Sequence, residues 1–318
     1  MKMCKEREMP NLGAHMIAIV SHDAGGAEIL SSWVSQNKGP FCFVLKGPAI
    51  DIFKRKHGHI KNIELDDALN FSDWALLGSS WQSDLERTAI KRFKDIKKRT
   101  VVFLDHWVNY QERFKIFDTF IYPDEIWVGD KEAEKIARQA FPNVDIVPKE
   151  NPYFLDLKSD INIIQKSKKN KPKFQSLSVL FLCEPIAEHA YKVYKNERYW
   201  GFTEKDALIY FLKNFHVLGN VSEIKIRPHP SEDSQKYIWA RDFSPLISEI
   251  NTTKPLLDQI IESDIVIGCE TMAMVVALIA DKRVVCSIPP GGIKCRLPQS
   301  NIESLQNLVI NYSEDSND

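Results

Sequence analysis

Several familiar signatures are missing from this 318-residue chain, and each absence removes a class of function. Its six cysteines, Cys4, Cys42, Cys183, Cys269, Cys286 and Cys295, are scattered without a CxxC pair, so the spacing of a structural zinc site is absent. Four of them lie in or beside apolar strand-like runs, which reads as buried thiols in a reducing compartment. No GxGxxG turn is present, which argues against dinucleotide binding, and no GxSxG elbow, which argues against a serine hydrolase. The longest apolar stretch, residues 272–280, is far too short to cross a bilayer. Residues 1–8 are charged and lack the apolar core of a signal peptide. Formal net charge is only −1, so there is no global electrostatic case for nucleic acid. A cytoplasmic protein with no transmembrane segment is expected. No DxD pair in a strand-end loop, no internal repeat and no low-complexity tract stands out. Chemistry without a metal or a cofactor is therefore expected.

What is present is an α/β pattern. With 44% hydrophobic and 27% charged residues the composition is that of a globular protein, and the length suits two domains. Strand signals at 16–20, 41–45, 74–77, 100–104, 125–128 and 144–147 alternate with helix signals at 27–35, 84–96 and 131–140. Short buried strands separated by helices indicate a parallel, doubly wound sheet. The polar, lysine-rich run at 166–173 breaks the rhythm and reads as a linker. Alternation then restarts, with strands at 178–182, 223–226, 265–267 and 283–286 and helices at 203–214, 254–262 and 271–280. Thr203 stands as N-cap of the first of these helices, with Asp206 three residues on as in a capping box. The expected organisation is an N-terminal Rossmann-like domain (1–165), a linker (166–175) and a C-terminal Rossmann-like domain (176–318), with a central cleft that both domains face.

In open α/β sheets, ligands bind outside the carboxyl ends of the strands, and a helix starting there presents unpaired N–H groups to anions. Two such strand ends carry the clearest signals. Arg227-Pro228-His229-Pro230 holds an imidazole between two prolines beside a permanent charge. Glu270 and Thr271 occupy the N-cap region of an apolar helix. Together they suit a phosphate or pyrophosphate. Glu184, after the first strand of the second domain, is placed to contact the base or sugar of a ligand, or to act in a hinge.

In the first half, His22, Asp23, Gly25 and Gly26 sit at the first strand-to-helix turn, where two glycines allow close backbone approach and two side chains can transfer protons. Asp105 and His106 repeat the carboxylate-imidazole arrangement at a later strand end. Ser79 and Ser80, with Trp81 beside them, offer hydroxyls and an aromatic face to a sugar. Trp127, Met272 and Met274 fall at core spacing. The basic run at 91–99 reads as a solvated helix face, with a peripheral membrane contact as the alternative.

Taken in order, the segments 180–188 and 201–208, then Arg227-Pro228-His229-Pro230, then Glu270-Thr271, resemble the donor half of bacterial sialyltransferases and polysialyltransferases. The resemblance covers residues 176–290 and implies the two-Rossmann-domain arrangement called GT-B. It implies that His229 contacts the phosphate of a CMP-sugar donor and that Thr271 holds the same group. The second half also looks like nucleotide-sugar 2-epimerases and glycerophosphotransferases. The acidic motif that supplies the catalytic base in the sialyltransferases has its nearest approximation in Asp23-Ala24-Gly25, without the central acidic residue. The base is thus Asp23 or Asp105.

The expected activity is a metal-independent glycosyltransferase. Its preferred donor is a CMP-linked nonulosonate, and its acceptor a glycan, a lipid-linked sugar or a protein. A nucleotide-sugar epimerase or hydrolase, and a non-catalytic sugar-nucleotide-binding protein, are the alternatives.

Overall fold

A computed structural model describes residues 15–80, 83–167 and 176–315. Cys4, the charged N-terminal segment, Trp81 and most of the expected linker lie outside the described residues. The chain divides into two compact units, Met1–Asp156 and Leu157–Asp318. The division falls inside a helix, Pro152–Ser167, ahead of the boundary expected at 165.

In the first unit, the strands β1 (Ile17–Ser21), β2 (Phe41–Leu45), β3 (Trp74–Leu77), β4 (Arg99–Phe103), β7 (Glu125–Val128) and β8 (Asp145–Pro148) form one sheet. Their spatial order is β2-β1-β3-β4-β7-β8 and every pairing is parallel. Helices α1 (Ala24–Gln36), α2 (Pro48–His57), α3 (Leu65–Phe71), α4 (Leu85–Asp95) and α5 (Lys131–Ala140) connect them, and α6 is Pro152–Ser167. A two-stranded antiparallel hairpin, β5 (Lys115–Ile116) with β6 (Thr119–Phe120), stands apart. Strands covered on both faces need unbroken apolar runs. Ala18, Ile19 and Val20 of β1 and Ala75, Leu76 and Leu77 of β3 accordingly have no solvent exposure. Trp33, Trp74 and Trp127 meet on one face with ring centroids 6.1–6.5 Å apart.

The second unit repeats the plan. Its strands are β9 (Leu177–Leu182), β10 (Val221–Arg227), β11 (Ile247–Ile250), β12 (Ile265–Gly268), β13 (Arg283–Cys286) and β14 (Ile302–Ser304), all parallel and ordered β11-β10-β9-β12-β13-β14. The helices are α7 (Ile186–Tyr194), α8 (Glu204–Asn214), α9 (Leu256–Glu262), α10 (Met272–Ile279) and α11 (Leu305–Asp315). The capping box expected at Thr203 is present: its hydroxyl accepts the Asp206 N–H at 3.3 Å, and Asp206 accepts the Thr203 N–H at 2.8 Å. Trp127 and Met274 are core residues as expected, whereas Met272 is only half-buried.

Strand order positions the functional ends. From β1 the chain steps outward to β2 and then returns past β1 to β3, so the direction of winding reverses between β1 and β3. In the second unit the same reversal falls between β9 and β12. At a reversal the connecting helices leave on opposite faces, opening a crevice at the carboxyl ends of the two strands. His22 and Asp23 follow β1, and Gly78 and Ser79 follow β3. Glu184 follows β9, and Cys269, Glu270 and Thr271 follow β12.

Candidate functional site

At the first reversal, the His22 Nδ1 and Asp23 Oδ1 lie 2.7 Å apart, with the two side chains 30% and 22% exposed. Asp23 stands at the N-cap of α1 but makes no side-chain cap; its carboxylate is turned to the imidazole instead. A carboxylate on Nδ1 fixes the tautomer with the proton there, leaving the Nε2 lone pair for an incoming hydroxyl. The ring lies against Gly47, where an added Cβ would sit 2.7 Å from Nε2, so the bare backbone at that position makes room for it. The His22 N–H donates to Glu86 Oε1 at 2.7 Å. Glu86 is 1% exposed, and its Oε2 has no hydrogen-bond partner among the described residues. Burial pushes its pKa up to about 8, and the charges of Asp23 and Asp105 push the same way. Glu86 was not anticipated from the sequence, where it reads as one more polar residue on an amphipathic helix.

Asp105 has different partners from Asp23. Its Oδ1 accepts the Ser79 hydroxyl at 2.7 Å and Arg113 Nη1 at 2.6 Å, and the Arg113 and Asp105 side chains are 5% and 9% exposed. Arg113 also donates to the Ser79 carbonyl and hydroxyl. Asp105 Oδ1 is thus committed to donors inside the protein. Ser80 is buried, with its hydroxyl accepting the Ser83 N–H at 2.9 Å. The two serine hydroxyls expected to meet a sugar are thus engaged inside the protein. Gly25 and Gly26 likewise admit the protein's own atoms: a Cβ at Gly25 would lie 2.2 Å from Asp105 Oδ2, and one at Gly26 3.1 Å from the Gly78 Cα. His106 accepts the Trp107 N–H on Nδ1 at 3.0 Å.

At the second reversal the Glu184 carboxylate takes the N–H groups of both Cys269 and Glu270 on Oε1, each at 2.9 Å. These are donors that the sequence pattern offers to a phosphate. Burial raises the Glu184 pKa to about 7, against the lowering effect of those same N–H groups. Glu270 in turn binds Arg296 through its backbone N–H at 2.6 Å and its guanidinium at 2.7–3.1 Å. Thr271 caps α10, its hydroxyl accepting the Ala273 N–H at 3.3 Å.

His229, beyond β10, is held through one ring nitrogen among the described residues. Its Nδ1 faces the Ser231 hydroxyl at 2.7 Å and accepts the Ser231 N–H at 3.2 Å. With Nδ1 an acceptor, the neutral ring carries its proton on Nε2 and presents a donor on that edge. Burial lowers the pKa of His229, which favours that neutral form. The loop is anchored by Glu232, which accepts the His229 N–H at 3.3 Å, the Tyr237 hydroxyl at 2.9 Å and Lys236 at 2.6 Å. Arg227 is committed elsewhere: its Nη1 donates to the Lys254 carbonyl and to Gln259 Oε1, tying the end of β10 to the start of α9. Among the described residues, no group of three or more His, Cys, Asp or Glu side chains is arranged to hold a metal ion. None of the described helices is long and apolar enough to cross a membrane.

No family model matches the sequence, and no curated protein matches it. Solved structures do match in fold. The Anabaena protein Alr3699/HepE, in complex with UDP and glucose, aligns over 95% of this chain and 91% of its own, with a TM-score of 0.56 and 12% identity. The UDP-GlcNAc 2-epimerase of Methanocaldococcus jannaschii aligns over 85% and 83%, with a TM-score of 0.55 and 9% identity. A glycosyltransferase from Rickettsia africae aligns over 96% and 88%, with a TM-score of 0.53 and 8% identity. At these identities the likeness is one of fold. The chain has the expected α/β architecture of two Rossmann-like, doubly wound domains, the GT-B-like class.

Proposed function

We propose that the chain is a glycosyltransferase using a nucleotide-activated sugar. The observation that carries this reading is the His22–Asp23 pair at the first reversal, because a carboxylate-oriented imidazole is the group needed to take a proton from an acceptor hydroxyl. The first unit binds the acceptor, and His22 Nε2 removes its proton while Asp23 stabilises the imidazolium that forms. Between the two carboxylates left open by the sequence, the hydrogen bonds favour Asp23 for this chemistry and give Asp105 a positioning role. The acceptor oxygen attacks the anomeric carbon, the bond to the nucleotide phosphate breaks, and its electron pair leaves with the phosphate.

The second unit binds the donor. His229 donates from Nε2 to the departing phosphate oxygen, and the Thr271 end of α10 supplies a partial positive charge. Glu270 and Arg296 order the adjoining loop, and Arg227 supports His229 through the base of its loop. Glu184 organises the segment before α10 and lies where the donor's polar groups would meet it. The motif resemblance favours a CMP-linked nonulosonate as donor.

A second reading, a nucleotide-sugar 2-epimerase, is favoured by the fold shared with the Methanocaldococcus jannaschii enzyme. Incubation with CMP- and UDP-sugars in the absence of acceptor separates the two. A transferase consumes little donor, whereas an epimerase converts the sugar without any acceptor. Thermal shifts with CMP, UDP, GDP and CDP identify the nucleotide, since a ligand at a hundred times its dissociation constant adds ~2.7 kcal/mol of stability. A protein that no nucleotide stabilises would not be a donor-binding enzyme.

A further inference from the structure

Four of the six cysteines gather at the carboxyl ends of the strands of the second sheet: Cys183 after β9, Cys269 after β12, Cys286 at the end of β13, and Cys295 in the loop beyond it. All four are free thiols. Two of them share one acceptor. Cys286 Sγ and Cys295 Sγ each donate to the Cys269 carbonyl oxygen at 3.4 Å, so the two sulfurs lie against the same oxygen atom. Cys286 is 6% exposed, whereas Cys295 is only partly buried. The segment that joins them carries Pro289, Pro290, Gly291 and Gly292, with Gly291 at φ +87°, and returns the chain to the carboxyl end of β12.

We propose that Cys286 and Cys295 are a modification site, a dithiol that closes to a reversible intramolecular disulfide on exposure to a peroxide. Cys295 is the attacking group, because it is the more accessible of the two. The neighbouring Cys286 thiol also holds the Cys295 pKa below the usual thiol value. Its thiolate sulfur forms a bond to one peroxide oxygen, the O–O bond breaks, and water leaves after protonation. The resulting sulfenic acid is attacked by the Cys286 sulfur. An S–S bond forms, the S–O bond breaks, and the departing hydroxide takes the Cys286 proton as a second water. Two electrons pass from the sulfurs to the peroxide, and a thiol reductant reverses the change.

The bond would be felt at the candidate site. Oxidation removes both S–H donors from the Cys269 carbonyl, while the N–H of the same residue holds Glu184. Arg296, next in sequence to Cys295, holds Glu270. Disulfide formation thus acts on the peptide that organises the entrance to α10. The proposal does not depend on the sugar chemistry.

The test treats the full chain, first reduced and then exposed to hydrogen peroxide, followed by peptide mapping under non-reducing conditions. The expected result is a peptide linking Cys286 to Cys295, a loss of two hydrogens in the intact mass, and recovery on adding dithiothreitol. The link is absent in C295S and in C286S, but the wild-type map alone decides the question if either variant folds poorly. Links from Cys286 or Cys295 to other cysteines, a sulfinic acid on Cys295 with Cys286 untouched, or no change at either position would each overturn it.

Discussion

Asp105 and Gly25 face each other so closely that a methyl group on Gly25 would lie 2.2 Å from Asp105 Oδ2. The contact joins the end of β4 to the first turn of α1, and Arg113 and Ser79 hold the carboxylate in place from the other side. Gly25 is therefore required by packing rather than by an unusual backbone angle. Gly25→Ala is expected to cost ~1–3 kcal/mol, the range for overpacking a fixed neighbour. The double variant with Asp105→Ala should cost less than the sum of the two single changes, because the clash disappears with the carboxylate. Urea denaturation of the four proteins checks this, and strict additivity would mean that the contact does not form.

The two candidate bases should separate stability from chemistry. Asp23 is partly exposed and bonded to His22, so Asp23→Asn should leave the unfolding midpoint almost unchanged while turnover falls ~10²–10⁴-fold. Asp105→Ala strips the partner from buried Arg113 and should destabilise by ~3–5 kcal/mol. The measurements are the urea midpoint of each variant and its turnover on the nucleotide sugar that binds. Equal losses of turnover at matched folded fractions would remove the distinction between the two residues.

Much of this architecture was readable because parallel strands covered on both faces appear as unbroken apolar runs. The spans of β2, β3, β7, α5 and β13 agree residue for residue with the sequence pattern. What escaped was weakly patterned. Helix α7 buries only Ile186 and Ala190, too little to show a period, and β14 is three half-buried residues at the sheet edge. Helix α2 buries Ala49, Ile52 and Phe53 beneath a basic surface, and the β5–β6 hairpin is two residues a side. The candidate residues could be placed at strand ends from the sequence, but their partners could not. Glu184 meets Cys269 across 85 residues of chain and Asp105 meets Arg113 through a loop, so only the folded structure shows which groups are already engaged.

Helix α8 offers a local check on the second domain. Thr203 and Asp206 exchange hydrogen bonds in a complete capping box, so Thr203→Ala removes an acceptor from the first turn. The expected cost is ~1 kcal/mol. Thr203→Ser, which keeps the hydroxyl, should recover most of it. Chemical denaturation monitored on the second domain's tryptophans, Trp200 and Trp239, reports the difference.

Glu86 should leave a mark on the pH dependence of stability. Its folded pKa of about 8 lies above the ordinary 4.5, so the folded protein binds this proton more tightly than the unfolded chain does. The stabilising contribution is therefore full below the ordinary value and is lost as pH rises through about 8. Glu86→Gln keeps an oxygen for the His22 N–H and removes the titration. The variant should gain on the wild type as pH rises from 5 to 8, by at most about 1.4 kcal/mol per pH unit for one proton. Urea denaturation across that interval measures it, and parallel curves would show that Glu86 ionises normally.

The other raised carboxyl yields a prediction about binding. Glu184 has a pKa of about 7 and sits on the N–H groups leading into α10, where the proposed donor phosphate arrives. A second negative charge there further disfavours ionised Glu184, so its pKa must rise in the complex. Nucleotide binding near and above pH 7 then takes up a proton, and affinity falls as pH increases, at most tenfold per unit for one proton. Titration calorimetry in two buffers of different ionisation enthalpy counts that proton directly. His229, with its lowered pKa, could also gain a proton from the same phosphate, and Glu184→Gln distinguishes the two. The amide still accepts the Cys269 and Glu270 N–H groups but cannot titrate, so any uptake that survives belongs to His229. Binding that moves no proton in the wild type would place the phosphate away from α10, and the donor site would have to be sought elsewhere in the second domain.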